Sequence, residues 1–160
     1  MRSIALTLAL CLSAPTLARG QTPDLAWERA ELLRLHAADR EAHFRTDAKL
    51  LMEGSGNEMI SVRDGQVRRI SKAQRLAVLA DYFRGARYQE WDDLEEPIVH
   101  LSRDASMAWM ITRLKVRRVQ RDSSGIEGEQ KFVYAGIMTY EKVNGRWMRV
   151  ANVSTFEPPE

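Results

Sequence analysis

The residues best suited to chemistry lie in one short segment, HAADREAH, His36 to His43, where two imidazoles and a carboxylate share what should be a single helix. Asp39 and His43 are one helical turn apart on the same side, so the carboxylate is in reach to orient the imidazole and raise its basicity. A general base is built that way, and His36 would serve as a second proton-transfer group. A structural reading stands beside it, in which carboxylates or backbone carbonyls satisfy both histidines at the edge of the core. No metal site is expected: His36 and His43 are two turns apart, about 10 Å along a helix axis, and His100 is remote in sequence. At about 100° per residue, Leu32, Leu50, His43, His36, Arg40, Leu33, Leu51 and Phe44 share a sector of roughly 120°, with Asp39 at its border. Polar groups thus stand where core is expected, and burying them unpartnered is costly. The expectation is that they line a cavity or pair with each other.

Further candidates come from strands. A turn at Asp104-Ala105 sets His100 opposite Trp109, Ile98 opposite Ile111 and Glu96 opposite Arg113 on one face. His100, Trp109 and Arg113 would suit a pocket wall for an aromatic or carboxylated ligand; the alternative is an outer face with an ion pair of little weight. A turn at Asn144-Gly145 sets Ile137 opposite Asn152 and Ala135 opposite Ser154, with Tyr140 opposite Arg149 and Met138 opposite Ala151 on the other face. Asn152 interrupts an apolar row and is assigned to the pocket, where Tyr134 and Trp109 would help position an organic ligand. Both faces are largely apolar, so a second subunit is expected to cover the outer one.

The elements that must position these groups are legible from punctuation and period. Thr22-Pro23-Asp24 starts a long helix that runs through Phe44, and Thr46 or Asp47 offers a fresh cap before Gly54-Ser55-Gly56 ends helical structure. Asp64-Gly65 marks a hairpin. Ser71 and Gln74 read as a capping box, followed by a stripe of Ala73, Leu76, Ala80 and Phe83 and a stop at Gly85. From Tyr88 onward the chain reads as strands, expected to form an antiparallel meander. WDDLEEP, from Trp91, reads as a solvated entry to an edge strand.

The 160 residues suffice for one domain with a real core. Residues 1–20 are set apart: Arg2 precedes an apolar run from Ile4 to Leu17, and Ala18-Arg19-Gly20 places small residues where a signal peptidase reads. Cleavage after Gly20 is expected, leaving a single domain over 21–160 that is exported to the periplasm or outside. Cleavage removes Cys11, the single cysteine, and with it thiol chemistry and disulfides. It also removes Arg2 and Arg19 from 24 basic residues, leaving 22 against 22 acidic ones. Such a neutral chain argues against nucleic acid as a partner. No later stretch reaches the roughly 18 to 20 apolar residues of a spanning helix, so membrane insertion is not expected.

Helices first, then a hairpin, a helix and a run of long strands: this order resembles the nuclear-transport-factor-2-like superfamily and, within it, the SnoaL-like proteins. The resemblance covers Leu25 to Glu157 and is carried by LHAADREAHFRTDAKLL, by SRDASMAW (Ser102 to Trp109) and by YEKVNGRWMRVANVS (Tyr140 to Ser154). It implies an α+β, cystatin-like cone, with N-terminal helices in the concave face of a curved antiparallel sheet, a mainly apolar pocket and a homodimer through the outer sheet face. Members include isomerases, dehydratases and proteins without a reaction, so fold does not choose the function. The leading expectation is binding of a small organic molecule, with no cofactor. An isomerase- or dehydratase-type enzyme using His43, Asp39 and His36 is one alternative, and a non-catalytic assembly subunit another.

Overall fold

The computed structural model describes Thr22 to Glu157; the expected signal peptide lies outside the described residues. Helix α1 spans Leu25–Arg45, and its start is fixed by Asp24, whose side chain accepts from the Ala26 and Trp27 amides at 3.0 and 3.1 Å. The helix does not run on through Asp47. Thr46 turns left-handed at φ 51°, and Asp47 caps a short second helix, α2 (Ala48–Leu51), by accepting from the Lys49 and Leu50 amides.

Strands β1 (Ser55–Arg63) and β2 (Gln66–Ser71) form the hairpin at Asp64-Gly65, both of which take positive φ as a tight primed turn requires. Helix α3 (Lys72–Phe83) opens with the reciprocal bonds of a capping box: the Gln74 amide donates to Ser71 Oγ, and the Ser71 amide donates to Gln74 Oε1. Its inward stripe differs from the one read in sequence. Ala73 and Ala80 face solvent, while Arg75, Leu79 and Phe83, spaced four apart, turn inward.

Strands β3 (Ala86–Asp93), β4 (Ile98–Leu101), β5 (Met107–Arg121), β6 (Glu127–Val143) and β7 (Arg146–Phe156) complete one sheet in the order β2-β1-β7-β6-β5-β3, with β4 beside β5. The sheet is mixed, because β1 returns parallel to β7. Register shifts interrupt β1, β3 and β7, and such bulges bend and coil a sheet. The helices occupy its hollow side.

Burial alternates strictly along β5, so Ala108, Met110, Thr112, Leu114, Val116 and Arg118 point inward. Two apolar clusters form there. Leu32 of α1 packs with Ala108, Met110, Met138, Tyr140 and Trp147 at one end; Ala42, Phe83, Tyr88, Trp91, Leu114 and Val116 pack at the other. The first end is closed by a buried carboxylate, Glu28, which accepts from Trp147 Nε1 at 2.8 Å and pairs with Lys142. Thr112 stands between the clusters, in a row whose chemistry is polar.

Candidate functional site

Thr112 pairs across β5 and β6 with Gly136, and Gly136 pairs across β6 and β7 with Ser154, so the three form one inward row. Leaving out a side chain at Gly136 makes room for a neighbour: an added Cβ would lie 2.4 Å from Tyr134 Oη. The Tyr134 ring thus folds over the glycine and carries its hydroxyl into the middle of the row. The next row holds Met110, Met138 and Asn152. Asn152 arrives there through a bulge. Strict counting from the Asn144-Gly145 turn pairs Tyr140 with Arg149, as observed, but the register then slips by one residue at Val150, and Met138 rather than Ile137 faces Asn152. The slip brings Arg149, Asn152 and Ser154 to the same inner face.

Arg149 is 4% exposed and pairs with Asp39 of α1. Burial works against the Arg149 charge, but Asp39 and Tyr140 outweigh it and hold the guanidinium pKa above its ordinary value. Arg75 reaches the same region from α3; burial and the Arg149 charge lower its pKa to about 10. Tyr134 and Tyr140 have their hydroxyl pKa values raised, chiefly by burial. Among the described residues, Gln120 Oε1 near the end of β5 is buried without a hydrogen-bond partner, and so, close to β7, are Ser55 Oγ, Arg75 Nε, Thr112 Oγ1, Arg149 Nε and Asn152 Oδ1. A native interior leaves few such atoms, and their gathering on one face is the main feature of this fold. Asp39 and Arg149 also form the floor of a cleft of about 310 Å³ between α1, the turn into β1 and the β6–β7 turn. Its lining includes Glu31, Arg34, Glu53 and Arg146 beside Trp27 and Trp147, so it is polar where a mainly apolar pocket was expected.

The two histidines of α1 meet partners of the kind the structural reading named, a carboxylate for His36 and a backbone carbonyl for His43, while the side-chain pair of Asp39 with His43 does not form. The Asp39 carboxylate goes to Arg149 and not to His43; His43 Nδ1 donates instead to the Asp39 carbonyl at 2.6 Å. Four residues apart, side chain and carbonyl meet along the helix wall, while the carboxylate leans toward β7. His43 Nε2 is then the basic nitrogen of the neutral ring, which sits among Phe83, Tyr88 and Trp91, stacked on the indole at 5.0 Å. His36 bonds both carboxylate oxygens of Asp93 at 2.9 and 3.0 Å, and Arg40 donates to the Trp91 carbonyl and to Asp92. WDDLEEP is exposed from Asp92 to Glu96 at the edge of the sheet, as its composition predicts, and Asp92 and Asp93 also serve as partners of α1. Arg118, buried among Tyr82, Tyr88 and Phe132, donates to Tyr88 Oη at 3.0 Å and to Gln130.

Burial lowers the His43 pKa, opposed by the Asp39 carbonyl and carboxylate and aided by Arg149 and Arg118. A base with a depressed native pKa binds protons first in the unfolded chain, so its contribution to stability is present above 6.5 and is lost as pH falls through the native value. Urea midpoints should therefore fall between pH 7.5 and 5, and His43→Phe should flatten that slope. An unchanged slope in the variant would assign the acid sensitivity elsewhere.

His100, Trp109 and Arg113 are on the other side of the sheet. His100 does oppose Trp109, with the rings stacked at 5.0 Å, but the alternation of β5 turns both outward. Arg113 also points outward and meets Glu95 and Glu157; Glu96 does not pair with it, because β4 begins only at Ile98. These three are thus not part of an inner wall, whereas Asp39, Tyr134 and Asn152 are brought together. Arg75, Thr112 and Arg149 were missed. A signal existed for Arg149, which interrupts an apolar row as Asn152 does; none existed for Arg75, which reads as a solvated helix position. Among the described residues no three His, Asp or Glu gather as a metal shell, and no helix is long and apolar enough to cross a membrane.

No family model and no curated protein matches the sequence. Solved structures do match in shape. An NTF2-like protein with a cystatin-like fold from Novosphingobium aromaticivorans superposes with a TM-score of 0.63 at 19% identity, covering 85% of this chain and 86% of its own. The fold is nuclear-transport-factor-2-like. Within that fold, a ketosteroid isomerase-like protein from Erwinia carotovora atroseptica matches with a TM-score of 0.60 at 13% identity, covering 82% of this chain and 98% of its own. The association domain of C. elegans CaMKII matches at 0.55 and 14% identity, covering 81% and 96%. An NTF2-like cone accounts for the helices in the hollow of the sheet.

Proposed function

We propose that this NTF2-like chain is an exported domain that binds a small polar organic molecule against the Asp39–Arg149 pair and the inner polar row, without an obligatory reaction. The observation that carries the reading is the set of buried, unpartnered polar atoms on one face, at Thr112, Arg149 and Asn152. A ligand with matching groups would complete bonds that the chain leaves open. A thermal-shift screen of small organic acids, amides and alcohols against the purified protein tests it. A saturable rise in melting temperature that Asn152→Leu abolishes supports the reading; no response to any compound class overturns it. Export is checked by N-terminal sequencing of the protein recovered outside the cytoplasm, where Gln21 is the expected first residue.

One observation favours a proton-transfer enzyme as the second reading. His43 is held neutral by burial with Nδ1 occupied, which leaves Nε2 as a base. A likeness in shape to a ketosteroid isomerase-like protein is compatible with it. Association as a homodimer through the outer face is proposed as well: Ile98, Ile111, Ile137 and Val153 form a row across four strands, beside His100, Trp109, Thr139 and Ala151. Ile98 and Val153 are exposed in the single chain. Light scattering at micromolar concentration should give twice the chain mass, and a monomer would remove the proposal.

A further inference from the structure

The charges around the inner polar row do not balance. Asp39 is the one carboxylate among the charged groups that act on Arg75, and it is already engaged by Arg149. Two guanidiniums therefore share one acid, in a region where Thr112 and Ser55 are each 1% exposed. Isolated buried cations are costly and are tolerated when a counter-charge with good hydrogen-bond geometry is supplied. Both arginines present a buried Nε without a partner, and Nε–H is half of the two-pronged edge that a carboxylate accepts side by side; at Arg149 the adjacent Nη2 already donates to Asp39, so the open fork is that of Arg75. The groups around them are suited to the same ion. Tyr134 Oη and Thr112 Oγ1 are donors, and an Asn152 amide with its oxygen unpartnered donates instead once its two terminal atoms are exchanged.

Resting on the small-molecule reading above, we infer that the inner polar row takes a small organic carboxylate, held by Arg75 from α3 and Arg149 from β7 with Tyr134 and Thr112 alongside. A phosphate group fits less well. Two guanidiniums less the Asp39 carboxylate leave one net positive charge, which matches a monoanionic carboxylate better than a phosphate group carrying between one and two negative charges near neutral pH. A carboxylate needs only a planar fork, and a matched neutral amide offers it no charge. Charge-assisted bonds are worth enough for roughly tenfold weaker binding when the charge is removed.

Calorimetric titration of the full protein with propionate, benzoate, their neutral amides and inorganic phosphate tests the inference. Saturable binding of at least one carboxylate is expected, with its amide about tenfold weaker. Arg75→Met, which breaks no ion pair, should abolish the difference between acid and amide, and Arg75→Lys should restore it only in part, since it returns the charge without the fork. Tyr134→Phe gives an independent check and should weaken the carboxylate alone. If amides bind as well as acids, or if phosphate competes equally, the carboxylate assignment is overturned while small-molecule binding stands. If neither charged nor neutral probes bind, and alcohols and amides are equally silent in the thermal screen, the binding reading itself fails.

Discussion

Replacing Arg149 by methionine is expected to destabilise the protein by roughly 3–5 kcal/mol, because it strands the Asp39 carboxylate in the interior. Asp39 and Arg149 are joined across α1 and β7, and the arginine is almost wholly buried. The loss is therefore not that of a surface pair, where breaking the contact costs about 1 kcal/mol or less. Removing both charges together, in Asp39→Leu with Arg149→Met, should recover much of that loss, since two apolar side chains of similar bulk no longer demand solvation. Urea denaturation of the two single variants and the double variant forms a cycle that isolates the coupling. Additive losses would show that the pair is not coupled and that Asp39 finds another partner. The same cycle bears on the carboxylate site, because the Asp39→Leu change alone frees Arg149 and should strengthen binding of propionate if the inner polar row takes an anion.

The second large effect is expected at Gly136. An alanine methyl there would stand 2.4 Å from Tyr134 Oη and 2.8 Å from the Val153 carbonyl oxygen. The tyrosine could swing away, but the carbonyl belongs to the paired strand and moves only with the sheet. A cost of about 1–3 kcal/mol is expected, in the range for forcing an extra methyl against backbone that cannot yield. The backbone angle at Gly136 is not the reason, as it is at Gly145, where φ is 76° and open space surrounds the position. A change of Gly136→Ala that left the urea midpoint unchanged would mean that Tyr134 does not lie over the glycine. Binding and stability should fall together in this variant, because the displaced ring is the one that carries the hydroxyl.

How much of this was legible without coordinates depends on the range over which each signal acts. Caps and turns are local, and Asp24, Asp47, Ser71 with Gln74, Asp64-Gly65 and Asn144-Gly145 all act where their residue types predict. The pairing of His100 with Trp109 follows from a turn and a period of two. Period alone says nothing of which face is hollow, and that pair was assigned inward when the helices lie on the other side. The Val150 slip changed the partner of Asn152, since a single inserted residue moves every later side chain across the sheet. The α3 stripe held at Leu76 and Phe83 and not at its two alanines: the helix turns Arg75 inward in their place, and no helical propensity encodes a long polar side chain reaching inward.

By itself the sequence determined the element order, the caps and turns, and hence an α+β chain of the kind that builds a cone. It also placed polar groups on the buried side of α1, because their period could be counted. Which partners those groups take was decided only by the tertiary structure: Asp39 on Arg149, His36 on Asp93, and His43 on a carbonyl within an aromatic box. The first two contacts join residues more than fifty positions apart, and the aromatic box around His43 is drawn from α3 and β3, so their geometry depends on how the sheet curves and on where the helices settle. Local rules carry no information on long-range packing of this kind, so the inner polar row is assembled only once the chain has closed around it.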